Sequence, residues 1–305
     1  MPNHSHGHAH SHDHADIARD PSIYSSERGI RAVRLSLACL GATAALQTLV
    51  FLVSGSVALL ADTVHNFGDA ASALPLWVAF RFTQRRPTER FTYGFGRVED
   101  AAGLAVLSLI AISAVVAGYE ASDRLVHPQQ VTHLPWIAVA SLLGFVGNEW
   151  AARLRITAGT EIGSAALVAD GMHARTDALT SLAVLIGAIG VSLGFSLADP
   201  IVGIGICATI LWILCRASIP ILTRVMDGID PETVHAIQRA ARSMPHVCEC
   251  NRVRVRWSGH RMQADLIVSV TNDLPSSHTA DLVREATKHA VPSLEDVVVE
   301  IRSRR

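Results

Sequence analysis

Charge is scarce in this 305-residue sequence. Asp, Glu, Lys and Arg supply only 17% of it while half is apolar, whereas a soluble globular chain carries about 25% charged residues. Lys and Arg at 26 nearly cancel Asp and Glu at 27, so no field of one sign exists to gather nucleic acid or an acidic substrate. No nucleic-acid partner is expected. Five cysteines, an odd number at 39, 207, 215, 248 and 250, make no disulfide framework. The chain opens on polar residues, without a signal peptide's apolar core. These absences leave a non-secreted integral membrane protein, expected to be multi-pass and to sit in a bacterial inner membrane.

What is present is apolar length. A bilayer's hydrocarbon takes about 20 mostly apolar residues as helix, because no backbone group stays unsatisfied there. Six stretches qualify. Residues 35–53 and 101–119 hold no charge, and 200–215 is clean up to Arg216. Residues 134–152 carry one acid, Glu149, and the remaining two, 57–80 and 165–193, hold ionisable residues in their first halves. Function should lie in those two.

Arginine sets the orientation, since basic residues in short flanking segments stay on the cytoplasmic side. Arg28, Arg31 and Arg34 precede the first span, Arg81, Arg85, Arg86, Arg90 and Arg97 fill the second connection, and Arg153 and Arg155 sit in the fourth. The first and fifth connections hold no base, and the third has only Arg124 beside Glu120 and Asp123. Both termini are therefore predicted cytoplasmic. The second connection needs no role beyond topology and lipid-headgroup contact.

Beyond Leu222 the composition becomes that of a soluble domain. Asp230 followed by Pro231 reads as an N-cap with proline at the first helical position, opening a helix to about Met244. Residues 247–257 and 262–270 read as strands around Ser258-Gly259, 276–290 as a helix and 297–301 as a last strand. The expected fold is an all-α six-helix transmembrane bundle (28–226) after a disordered His-rich tail (1–27), with a small ferredoxin-like α+β domain of order αββαβ (227–305). So small a domain has a marginal core, which an oligomeric contact would help.

The two charged spans repeat one another. A-L-x-A-D-x-x-H-x-x-x-D-A occurs at 58–70 and at 166–178, an offset of 108 residues from His65 to His173. Alanine and leucine matches are cheap in membrane helices, but two Asp and one His recurring in register are not. His65 with Asp69, and His173 with Asp177, are spaced i, i+4, so each pair leaves one face of a helix a turn apart. Two such faces meeting supply two imidazole nitrogens and two carboxylate oxygens, a set that suits tetrahedral zinc. Cadmium, cobalt and nickel fit the same donors, since affinity order alone does not choose the metal. Each ionisable group within a span costs at least ~2.5 kcal/mol on the insertion scale, so the four must face one another or water. Asp62 and Asp170 lie one turn before their histidines and read as carboxylates behind the ligands or along the ion's path, with a structural ion pair as the alternative. Arg175 points away from His173 and pairs with an acid on another helix.

Further metal signals are weaker. Histidine stands at His4, His6, His8, His10, His12 and His14, strict alternation in a segment that cannot bury a core and offers exchangeable metal capture. Cys248 and Cys250 form C-x-C, shorter than the usual zinc spacing.

The six-span layout, the H-x-x-x-D pairs in spans two and five, the Y-G-F-G-R-V-E stretch at 93–99 and the αββαβ domain together resemble the cation diffusion facilitator family over nearly the whole chain. His and Asp at these four positions resemble its zinc-type members. The resemblance implies a homodimer, held through the cytoplasmic domain, that exports divalent cation in exchange for protons by alternating access. It also implies regulatory metal positions at Asn251, Asp265, His278 and Glu300, a set poorer in histidine than the family's usual one. No resident cofactor is expected; metal and protons are cargo, and the bilayer is the surrounding solvent.

Two other classes would also place metal ligands inside a membrane. A membrane-embedded zinc hydrolase needs three ligands, an open position and a general base, commonly as H-E-x-x-H, and no such motif occurs. A metal-sensing receptor without transport differs only in moving no metal.

Overall fold

The computed structural model of the chain describes residues 21–54, 73–126, 134–195, 197–271 and 276–303. His4 to His14, Asp62, His65 and Asp69 lie outside the described residues.

Apolar composition produces long helices: α1 (Pro21–Ser54), a shorter α2 (Ala73–Thr83), α3 (Arg97–Val126), α4 (Leu134–Ile162), α5 (Ala165–Ser192) and α6 (Ala198–Val225). Four of these contain a segment long and apolar enough to cross a membrane, over Ser26–Leu52, Arg97–Asp123, Ala165–Ser192 and Ile201–Val225. The 29-residue α4, whose second half carries Asn148, Glu149, Arg153 and Arg155, is not among them. Their outer faces expose large apolar side chains such as Leu49, Ile112, Val115 and Ile219, as lipid contact requires.

Packing places α1 on α4, α3 on α6, and α5 between α4 and α6 with a further contact to α3. Small residues permit this closeness. At Gly171 on α5 a Cβ would lie 2.9 Å from the Ile156 backbone nitrogen and 3.1 Å from the Ala152 carbonyl of α4. The α4 helix runs to Ile162, beyond the 152 expected, and only Gly163 and Ser164 separate it from α5. Arg155 therefore belongs to the helix interior and not to a headgroup-facing connection; it is 1% exposed.

After α6 come α7 (Pro231–Arg242), β1 (Val247–Ser258), β2 (Arg261–Val270), α8 (Ser276–Ala290) and β3 (Leu294–Ser303), the expected αββαβ order. Asp230 caps α7 by accepting from the Glu232 N–H at 3.0 Å. The sheet order is β1-β2-β3, with β1 antiparallel and β3 parallel to β2; α8 makes the crossover that a parallel pair demands. Ile237 and Ala241 of α7 and Val283 of α8 close over Ala264, Leu266 and Val268 of β2.

Candidate metal centre

Ser164 starts the helix that matters most. Its hydroxyl accepts from the Leu167 N–H at 3.2 Å, satisfying one of the orphan donors at a helix N-terminus. From that cap, α5 aims Asp170, His173, Thr176 and Asp177 into the bundle, all buried. The i, i+4 spacing brings His173 Nδ1 to 3.8 Å from Asp177 Oδ2. That is beyond hydrogen-bond reach, so the two share a buried face without bonding each other directly. Their sequence counterparts His65 and Asp69 lie outside the described residues, so the structure gives the geometry of His173 and Asp177. Among the described residues no three of His, Cys, Asp and Glu converge as a metal site.

Asp170, fully buried, has a partner of its own. Arg155 Nη1 lies 3.0 Å from its Oδ2, while Arg155 Nε donates to Ser36 Oγ at 2.8 Å and Ser36 in turn donates to the Val33 carbonyl at 2.9 Å. One chain of polar groups thus ties α1, α4 and α5 together. A buried carboxylate is tolerated when so paired, and removing one partner leaves an uncompensated charge. Sequence reading assigned Arg155 to topology; the signal available was Asp170 itself, an acid inside a span needing an opposite charge. Arg175 does turn away from His173 and engages Glu149 of α4 through Nε and Nη2, each at 3.2 Å. Arg153 reaches the same carboxylate at 2.7 Å.

The cytoplasmic candidates are dispersed within one chain. Asp265 is exposed on β2 opposite Val298 of β3, two residues before exposed Glu300 on that strand, so the two carboxylates share a sheet face. Glu300 accepts from Arg302 at 2.9 Å. His278 is exposed near the start of α8, and Asn251 accepts from Ser269 at 2.7 Å. Cys248 is exposed and Cys250 is 4% exposed; burial pushes the Cys250 thiol up against a smaller lowering by Arg242, which works against its serving as a thiolate ligand.

A helical membrane domain with paired ionisable groups inside it, followed by a small α+β domain, defines a multi-pass membrane protein built around buried charge. Family comparison makes the class specific. The family model described as Cation efflux transmembrane domain matches residues 33–222 and that described as Cation efflux protein, cytoplasmic domain matches 229–302; the chain belongs to the cation efflux, or cation diffusion facilitator, family of divalent-metal transporters. It is 51% identical over 284 residues, 92% of this chain and 85% of the relative, to the "Probable cation efflux system protein Rv2025c" of Mycobacterium tuberculosis. It is 31% identical to the zinc transporter ZitB of Pectobacterium atrosepticum, over 76% of this chain and 72% of that one. Identity is 23% to the manganese efflux system protein MneS of Bacillus subtilis, over 85% of this chain and 89% of that one. Family membership makes the chain a transporter, not an enzyme, and removes the hydrolase and the receptor without transport.

Proposed function

We propose that the chain exports divalent metal, zinc foremost, from the cytoplasm in exchange for protons. The cargo is held by His65, Asp69, His173 and Asp177 where the second and fifth of six spans meet, with both termini cytoplasmic. One observation carries this: His173 and Asp177 share a buried face of an apolar, membrane-length helix, and the same residues in the same register occur at 65 and 69. Two nitrogens and two oxygens favour zinc over manganese, whose preference is for oxygen donors. The relative named for zinc at 31% identity agrees with that order. A homodimer joined through the cytoplasmic domain completes the reading.

Exchange follows from competition. Metal ligands must be deprotonated, and imidazole, with an unperturbed pKa of about 6.5, titrates between ordinary compartment values. A site open to a proton-rich exterior releases metal there and returns protonated. Asp170, near the cytoplasmic start of the fifth span, is held by Arg155, Asp62 stands three residues before His65 in the sequence, and the histidines of residues 1–16 gather the ion.

The test is uptake by proteoliposomes under a proton gradient with zinc, cadmium, cobalt, nickel and manganese side by side. Zinc should lead and Asp177→Ala should abolish uptake; undiminished uptake by that variant sinks the proposal. Removing residues 1–16 should raise the apparent KM for zinc several-fold and leave the maximal rate, so an unchanged KM removes the gathering role.

A further inference from the structure

The β1–β2 hairpin of the cytoplasmic domain turns through Gly259 and His260, and this turn is driven into the membrane domain. Gly259 has φ +65°, and a Cβ there would lie 2.7 Å from Glu99 Oε2 and 2.9 Å from the Gly96 carbonyl; only glycine fits. The next residue, His260, is 5% exposed and Glu99, in the first turn of α3, 1%. Glu99 Oε2 accepts from the His260 backbone N–H at 3.2 Å and faces its Nδ1 at 2.7 Å. Since a carboxylate only accepts, Nδ1 carries the hydrogen, and the bond holds whether the ring is neutral or cationic. His260 Nε2 lies 3.4 Å from Ser26 Oγ of α1, and the ring packs against Phe80 of α2 at 6.0 Å between centroids.

The other oxygen of Glu99 leads to the metal centre's helix. Ser164 Oγ donates to Glu99 Oε1 at 2.5 Å, and this is the same hydroxyl that caps α5. A second link runs in parallel: Arg224 Nη1 donates to the Gly163 carbonyl at 2.8 Å and to the Gly259 carbonyl at 3.3 Å, with its guanidinium 3.9 Å over the Trp257 ring. Arg97, which pairs with Asp227 and lies 3.6 Å from Asp100, also donates to the Arg224 carbonyl at 3.2 Å. Hairpin turn and α5 N-terminus are thereby fastened at two points. Ser164 precedes His173 by nine residues, about 13 Å along a helix at 1.5 Å per residue, and a packed helix passes a displacement of its first turn along its length.

We propose that His260 is a positioning residue for metal transport, clamping the cytoplasmic hairpin through Glu99 and Ser164 to the first turn of the helix that bears His173 and Asp177. The cytoplasmic domain and the site helix then move together. The inference rests on the proposed transport site for its effect on metal, but the clamp itself has a readout that needs no metal.

The full-length protein is compared as wild type, His260→Leu, His260→Asn, Ser164→Ala and His260→Leu/Ser164→Ala, with Asp177→Ala as control. Asparagine places its amide nitrogen where Nδ1 stands and keeps the donor to Glu99; leucine does not. In His260→Leu, amide hydrogen exchange over 164–170 should accelerate about tenfold, and His260→Asn should restore it to within twofold. The zinc KM should rise about fivefold with His260→Leu and with Ser164→Ala, and no further in the double variant, because both cut one chain. Acceleration confined to 247–303, failure of asparagine to restore 164–170, or fully additive KM effects would each overturn the clamp. Should Asp177→Ala leave zinc uptake intact, the transport site is refuted while the exchange at 164–170 still decides the clamp.

Discussion

The bundle and the cytoplasmic domain solve the problem of charge in opposite ways. In the bundle, Arg155 and Asp170 are 1% and 0% exposed and 3.0 Å apart, with Ser36 taking a further guanidinium hydrogen. On the cytoplasmic sheet, Glu300 and Arg302 lie 2.9 Å apart with half or more of each side chain in water. Similar distances therefore have different consequences. Breaking a buried pair strands a charge at a cost of ~3–5 kcal/mol, whereas an exposed pair is worth ~0–1 kcal/mol. An acid in the bundle must have an assigned counterpart; one on the sheet needs none.

The largest expected effect breaks the comparison at its buried end. Arg155→Met should lower the unfolding midpoint of the detergent-solubilised protein strongly, and Asp170→Asn added to it should recover much of the loss. Glu300→Ala, measured alongside, should shift the midpoint little. Equal shifts for Arg155→Met and Glu300→Ala would erase the distinction.

A smaller effect sharpens the same contrast within the cytoplasmic domain. Thiolate is the reactive form of cysteine, and burial raises the pKa of Cys250 above the ordinary thiol value. Its thiolate appears only as pH climbs toward that raised value. At neutral pH an alkylating reagent should label exposed Cys248 and leave Cys250 until the solution is made alkaline or the domain unfolded. Equal labelling of both at neutral pH would show that β1 is not seated on its core.

Much of the cytoplasmic domain was legible because alternation and capping are local. Asp230 and Pro231 marked the start of α7, and 276–290 matched α8 residue for residue. The α5 face was legible too, since i, i+4 spacing carries its own geometry and the 58–70 repeat supplied a second copy. Arg155 was misassigned because a base near the end of an apolar run looks like a headgroup anchor; burial by Asp170, 15 residues onward across a two-residue break, decides otherwise. His260 gave no signal at all. A single histidine in a turn has no period, and its partner Glu99 is 161 positions away, so only folding joins them.

Most direct is zinc X-ray absorption on the membrane-embedded protein lacking residues 1–16, loaded with one zinc per chain. Four nitrogen and oxygen donors at about 2.0–2.2 Å, two of them imidazole, with loss of that shell in His173→Ala and in His65→Ala, is the predicted result. A sulfur shell, or a shell unchanged by either substitution, would contradict the four-residue site.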